Sequence, residues 1–159
     1  YSMRPKFTDY ASYAVADLEK LLSKEQMAKA EVLSAKELRT FYFENTGSKF
    51  VGRPMPIEAQ MAPVQAMLPF DFNDDGHMDI LLSGNQSMIR IRLGMIDANM
   101  GQLFEGDGKG NFKLVPQTVS GFSILGDVKS ILRLPSDPDR IHFGINNLGI
   151  KSYQLKRKP

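Results

Sequence analysis

The chain has 159 residues, of which 42% are apolar and 24% are charged, a composition typical of a globular domain with an ordinary core. Its 20 basic and 18 acidic residues give a net charge of +2, which argues against nucleic acid or an anionic membrane surface as its partner. The lack of cysteine excludes disulfides, zinc–thiolate centres and a thiol nucleophile. No apolar run approaches the ~20 residues that a membrane-spanning helix needs.

The first 36 residues are predicted to form a short helical segment. They are rich in Ala, Leu, Lys and Glu, which favour helix. The spacing of the apolar residues predicts two helices, over 12–22 and 24–33. Ser23 and Gln26 form the S-x-x-Q pattern of a capping box, which would begin the second helix after a sharp bend.

Residues 37–159 are predicted to form the β-rich remainder of one domain, because short β-type runs alternate there with Gly, Asn, Asp and Pro. The runs that favour strands are 39–44, 49–53, 63–70, 79–84, 88–93, 101–105, 111–115, 127–134, 140–145 and 149–155. Gly-containing segments at 45–47 and 107–110 predict hairpin turns.

Three motifs recur along the chain at nearly the same offset, which indicates an internal repeat. The matching pairs are 64–68 with 128–132, Phe43-Glu44 and Phe50 with Phe104-Glu105 and Phe112, and 80–85 with 141–146. Each unit would hold four strands, the size of one propeller blade. The prediction is therefore a mainly β chain that forms a partial β-propeller of about two to two-and-a-half four-stranded antiparallel blades. The blade groups would be 39–53, 63–115 and 127–155.

Residues 71–79 read Asp-Phe-Asn-Asp-Asp-Gly-His-Met-Asp and are predicted to bind calcium between two strands. Oxygen-bearing side chains stand at alternate positions, His77 can offer its backbone carbonyl, and Gly76 permits a sharp turn. The segment is not an EF-hand, because Leu82 stands where that motif needs a bidentate Glu. The alternative is an acidic surface turn without metal, in which Asp and Asn bond the backbone of the turn.

In this context the sequence resembles the FG-GAP repeats of integrin α-chain propellers, and more closely the bacterial VCBS repeat proteins. The segments that carry the resemblance are 59–64, 71–85, 97–101, 106–110 and 120–121. The resemblance implies a β-propeller in an extracellular, cell-surface or periplasmic protein, with the export signal outside this chain. It also implies a Ca²⁺ ion whose ligands are the side chains of Asp71, Asn73, Asp75 and Asp79 and the carbonyl of His77.

The expected function is that of a calcium-binding, non-catalytic module of an exported protein, in adhesion or in binding a protein or carbohydrate ligand. Self-association or a longer parent chain would cover its open sheet edges. The alternative is an accessory domain of a secreted enzyme that acts on polysaccharide, which a neighbouring catalytic domain in the full-length gene would support. No nucleophile with a base can be argued from the sequence, so an enzyme is not expected.

The alternation of apolar and basic residues at 89–93 predicts a strand with one basic face, in an insertion within the central blade. Two interpretations are open for Arg90 and Arg92. The favoured one is a solvated edge strand whose charges prevent edge-to-edge pairing. The other is an arginine pair that contacts a ligand.

Overall fold

The computed structural model describes residues 6–156 of the chain. The chain divides into two compact units, Tyr1–Leu38 and Arg39–Pro159. The described part of the first unit carries three short helices, and that of the second carries nine β-strands. Among the described residues, no helix is both long and apolar enough to cross a membrane.

The helices of the first unit contain four or five residues each. They are α1 (Tyr10–Ala14), α2 (Leu18–Leu21) and α3 (Lys24–Ala28). The predicted capping box is confirmed at the start of α3. Ser23 Oγ accepts the Gln26 N–H at 3.2 Å, and Gln26 Oε1 accepts the Ser23 N–H at 2.9 Å.

The predicted lengths of these helices are wrong. The segment 12–22 is broken because Asp17, in an extended conformation, accepts the Lys20 N–H through its side chain and begins α2 as a separate helix. The second prediction, 24–33, extends beyond the observed end of α3. Residues 24–33 are all exposed apart from Met27, which is half-buried, so little apolar packing supports a longer helix.

The second unit is mainly β, as predicted, and its strands form three antiparallel sheets. Sheet I contains β1 (Phe41–Asn45) and β2 (Phe50–Pro54). Sheet II has the order β3 (Val64–Phe70), β4 (Asp79–Gly84), β5 (Gln102–Gly106) and β6 (Phe112–Leu114). Sheet III has the order β7 (Val128–Leu134), β8 (Asp137–Ile145) and β9 (Gly149–Gln154). A fourth short helix, α4 (Gln117–Ser120), lies between β6 and β7. The sheets of the described residues do not close into a ring.

The strand predicted at 88–93 is wrong. The structure has a 3₁₀ turn at Ile91–Leu93, followed by Gly94 with φ +73°. An isolated bridge between Gln86 and Ile96 folds the segment back on itself. Alternation of apolar and polar residues favours a strand only where a neighbouring strand can pair with it, and the ladder of sheet II instead runs directly from β4 to β5.

The β3–β4 and β7–β8 hairpins share an irregularity at the same place. In the first, Val64 pairs with Gly84 and the register shifts before Ala66 pairs with Ser83. In the second, the register likewise shifts between Val128 and the next paired residue on β7. A Cβ on Gly84 would lie 1.7 Å from the Pro63 carbonyl oxygen, so the strands approach closely at this bulge only because glycine stands there.

Sheet II is the middle layer, because each of its faces contributes to a separate apolar core. On β4, Leu81 belongs to the core shared with sheet III, and Leu82 belongs to the core beside sheet I. The buried members of the first core are Ala66, Phe70, Leu81, Leu103, Phe122, Ile124, Val128, Ile141, Phe143 and Ile145. Those of the second are Met55, Ala59, Leu82 and Phe104. Burial on both faces explains why three consecutive residues of this strand, 80–82, are apolar and do not alternate with polar ones.

Candidate metal centre

The acidic segment 71–79 forms the loop between β3 and β4, at one end of sheet II. Its backbone reverses through Asp74 and Gly76, whose φ angles are +59° and +84°. Phe72 packs into the core beside Phe70, with their ring centroids 6.1 Å apart. Phe72 therefore anchors the loop to the core, while its polar neighbours can accept hydrogen bonds from the loop backbone.

Side-chain oxygens at alternate positions accept hydrogen bonds from the backbone of the loop. Asp71 accepts the N–H groups of Asp75 and Gly76, at 3.2 and 2.8 Å. Asn73 Oδ1 also accepts the Asp75 N–H at 3.2 Å, and Asp75 Oδ1 accepts the His77 N–H at 2.7 Å. Residues 71, 73 and 75 therefore turn oxygens toward one short stretch of backbone.

The Asp79 carboxylate ties the loop to the sheet. Asp79 is 1% exposed. Its Oδ1 accepts the Gly106 N–H at 2.9 Å, and its Oδ2 accepts the Phe72 N–H at 2.8 Å. A Cβ on Gly106 would lie 2.2 Å from the Met78 carbonyl oxygen, so β5 reaches the loop only because glycine stands there. Bonds from N–H groups stabilise a buried carboxylate, and each oxygen keeps a further lone pair.

Glu105, on β5, joins the loop, although the sequence pattern did not mark it as a site residue. Asn73 Nδ2 donates to Glu105 Oε1 at 2.8 Å and to Asp75 Oδ2 at 2.9 Å. Glu105 lies 32 residues beyond Asn73. The sequence marked it only as half of a recurring Phe-Glu pair, and its position beside the loop depends on the pairing of β5 with β4.

The turn 107–111 packs against the same loop. The Asp107 carboxylate accepts the Lys109 N–H at 2.8 Å, the Asn111 N–H at 3.1 Å and the Asn111 side-chain amide at 2.6 Å. The His77 ring lies over Gly108, where an added Cβ would be 2.5 Å from Nδ1. Between the loop and the turn is an open cleft of about 480 Å³. Its lining residues are Asp75, His77, Glu105, Gly106, Asp107, Asn111, Phe112 and Lys113.

Hydrogen bonds favour the charged form of two carboxyls that line this cleft. The pKa of Asp75 lies below its ordinary value because the His77 N–H, and then the Asn73 side chain, donate to it. The Asn111 side chain, with the N–H groups of Lys109 and Asn111, lowers the pKa of Asp107 from 3.8 to about 2. Both groups are therefore negatively charged at neutral pH, and the cleft favours cations.

The donor chemistry of the loop fits calcium, which takes six to eight oxygen ligands from carboxylates, amides and backbone carbonyls. Within residues 6–156, no three His, Cys, Asp or Glu side chains are gathered closely enough to hold a metal by themselves. A calcium ion here would therefore also need the Asn73 amide oxygen and the His77 carbonyl. The structure does not gather the three predicted carboxylates, Asp71, Asp75 and Asp79, into one cluster, so calcium would have to draw them together.

The arginine pair considered in the sequence, and the second of the two histidines, lie elsewhere. Arg90 and Arg92 lie in the connection that leaves the opposite end of β4. His142 lies on β8, with its Nδ1 2.8 Å from Ser152 Oγ. Comparisons of the chain with protein-family profiles, with curated proteins and with solved structures find no match.

The low pKa of Asp107 predicts an acid-sensitive turn. Because the folded pKa is depressed, the stability that Asp107 contributes is present above pH 3.8 and is lost as the pH falls toward about 2. Asn111→Ala removes the side-chain hydrogen bond that lowers this pKa most, so the pKa of Asp107 should rise toward 3.8. Carboxyl carbon chemical shifts followed by NMR during an acid titration measure this value. An unchanged pKa in the variant would contradict the assignment.

The packing of His77 on Gly108 predicts that two similar glycines respond differently to substitution. Gly47 and Gly108 both have positive φ in hairpin turns, but only Gly108 has a neighbour where Cβ would stand. Gly47→Ala should cost only the backbone strain, about 1–2 kcal/mol. Gly108→Ala should lower the free energy of unfolding further, because the His77 ring must move. Urea unfolding followed by circular dichroism compares them, and equal losses would show that the His77 ring moves aside at no cost.

Proposed function

We propose that residues 39–156 form a calcium-binding, non-catalytic module of the β-propeller type, within an exported protein that acts in adhesion or in binding a protein or carbohydrate ligand. The observation that carries the proposal is the curled loop 71–79. Its alternate oxygens bond one stretch of backbone, which an acidic turn without metal would also show. The features that favour calcium are the carboxylates of Asp71, Asp75 and Asp79 within nine residues and the position of the last, fixed between the loop and β5. This oxygen-rich arrangement suits a hard cation better than the nitrogen and sulfur donors of zinc or copper sites.

Calcium would act structurally in this module. The carboxylates of Asp71, Asp75 and Asp79 repel one another in the absence of a cation. A bound ion would neutralise them and hold β3, β4 and β5 together at this end of sheet II. Because the unfolded chain has no such site, the free energy of binding would become free energy of folding.

The shared irregularity of the β3–β4 and β7–β8 hairpins supports a repeated four-stranded unit. The β1–β2 and β5–β6 hairpins correspond in the same way, with Phe43 and Phe104 each two pairs from the turn. Sheet I would then be the outer half of one blade, sheet II a complete blade and sheet III three strands of a third. This is the arrangement implied by the resemblance to FG-GAP and VCBS repeats.

Removal of calcium should destabilise the protein. At a calcium concentration about 100 times Kd, the stabilisation would be about 2.7 kcal/mol. The melting temperature should therefore fall when excess chelator replaces calcium at matched ionic strength. Calcium should restore it, and magnesium should not, because magnesium demands a small octahedral site and keeps its waters. Thermal unfolding followed by circular dichroism measures the shift.

Two variants make this test specific. Asp75→Ala removes an oxygen donor from the loop and should abolish most of the calcium-dependent shift. Asp97→Ala is the matched control, because Asp97 is exposed in the β4–β5 connection. The proposal would be contradicted if the melting temperature does not change when calcium is chelated. It would also be contradicted if the Asp75→Ala variant shows the full calcium-dependent shift.

A further inference from the structure

The connection between β4 and β5, residues 85–101, leaves sheet II at the end opposite the acidic loop 71–79. Gln86 and Ile96 close its neck, since each donates its N–H to the carbonyl of the other, at 2.8 and 3.0 Å. These two bonds close a loop of residues 86–96, the 86–96 loop. Its conformation is fixed at the base before any partner binds.

A buried pair of asparagines holds the two ends of the connection together. The Asn85 side chain donates to the Asn99 carbonyl at 2.7 Å and to the Gly126 carbonyl at 3.1 Å. Asn99 returns its N–H to Asn85 Oδ1 at 2.9 Å. Both asparagines are almost fully buried. Buried polar groups are stable only while these bonds are kept, so they fix the geometry of the base.

A buried carboxylate holds the loop from the neighbouring sheet. Asp127 precedes β7 and is 4% exposed. Its carboxylate accepts the Ser87 N–H at 2.9 Å and the Ser87 hydroxyl at 3.0 Å. Within residues 6–156, Ser87 supplies the only hydrogen bonds that this carboxylate accepts. The arrangement therefore positions the first residues of the 86–96 loop.

The tip of this anchored loop is apolar, basic and exposed. Ile91 is 98% exposed and Met88 is 76% exposed, and Leu93 and Met95 are also exposed. The side chains of Arg90 and Arg92 have no hydrogen-bond or ion-pair partner in the described part of the chain, although the Arg90 carbonyl accepts the Leu93 N–H at 2.8 Å. The solvated edge strand favoured from the sequence is no longer an explanation, because this segment is not a strand. Ser87 bonds Asp127, and apart from Ile89, which is half-buried, the residues of the loop are exposed.

We propose that the 86–96 loop is a docking loop for a partner protein whose surface places carboxylates beside apolar side chains. The fixed base of the loop limits the conformational freedom that is lost on association, which favours affinity. Met and Arg, which the tip of the loop carries, are enriched at protein interfaces. The proposal rests on the proposed function only in taking the module as one that binds a ligand.

Charge identifies the chemistry of the partner. From residue 86 to residue 96 the loop has two guanidinium groups and no carboxylate. Guanidinium binds carboxylate in a planar, bidentate fork, which is the favoured geometry for such pairs. A lipid surface is a weaker match, because membrane-binding segments combine several basic residues with Trp, Tyr or Phe, and this loop has none of these aromatics.

The probe is a phage-displayed library of random 12-residue peptides, selected on the full chain in calcium. Enriched peptides should carry Asp or Glu beside aliphatic or aromatic residues. Fluorescence anisotropy of a labelled selected peptide should show at least tenfold weaker binding to the double variant Arg90→Gln/Arg92→Gln and to Ile91→Ser. Lys49→Gln, in the exposed turn of sheet I, is the matched control and should bind as the wild type does.

The variants should fold normally, since the substituted side chains have no partner in the described residues. Their melting temperatures, and the shift produced by calcium, should equal those of the wild type, which separates this test from that of the metal site. The proposal would be overturned if no acidic consensus is enriched, or if the variants bind the peptides equally well. It would also be overturned if the same variants instead lose binding to phosphatidylserine vesicles or lose self-association.

Discussion

Both oxygens of the Asp79 carboxylate accept backbone N–H bonds, from residues 7 and 27 positions away along the chain. Asp79 is the first residue of β4, and its buried carboxylate connects this strand to the start of the acidic loop 71–79 and to the end of β5. The hydrogen bond from Asn73 to Glu105 and the packing of His77 on the 107–111 turn both depend on the closeness of β5 to the loop. The site is therefore a junction of three segments rather than a property of the loop alone.

The position of β4 explains how one sheet can carry both the proposed metal site and the proposed docking loop. Its apolar side chains enter one core through Leu81 and another through Leu82, so the strand is held on both faces. Loops at its two ends can then differ in composition without changing the sheet. At one end, acidic side chains bond their own backbone. At the other, Asn85 and Asp127 fix the base of a loop whose tip is exposed.

Most strands could be predicted because each carries its own pattern of apolar residues and most end beside Gly, Asn, Asp or Pro. The segment 88–93 has the same pattern without a neighbouring strand, so alternation alone was misleading there. The capping box at Ser23 was predictable because its bonds span three residues, whereas the Asp17 cap that divides 12–22 competes with a helical pattern of similar strength. Glu105 could not be found from local sequence, because its contact with Asn73 requires the sheet to be formed.

The most direct test of the central claim is isothermal titration calorimetry of calcium into protein freed of metal by a chelator. The account predicts one calcium ion per chain. It also predicts much weaker binding by Asp79→Asn, because an amide cannot both accept the two N–H bonds and supply negative charge. Asp97→Asn should bind as the wild type does. The absence of calcium binding by the wild-type chain, or equal binding by Asp79→Asn, would contradict the account.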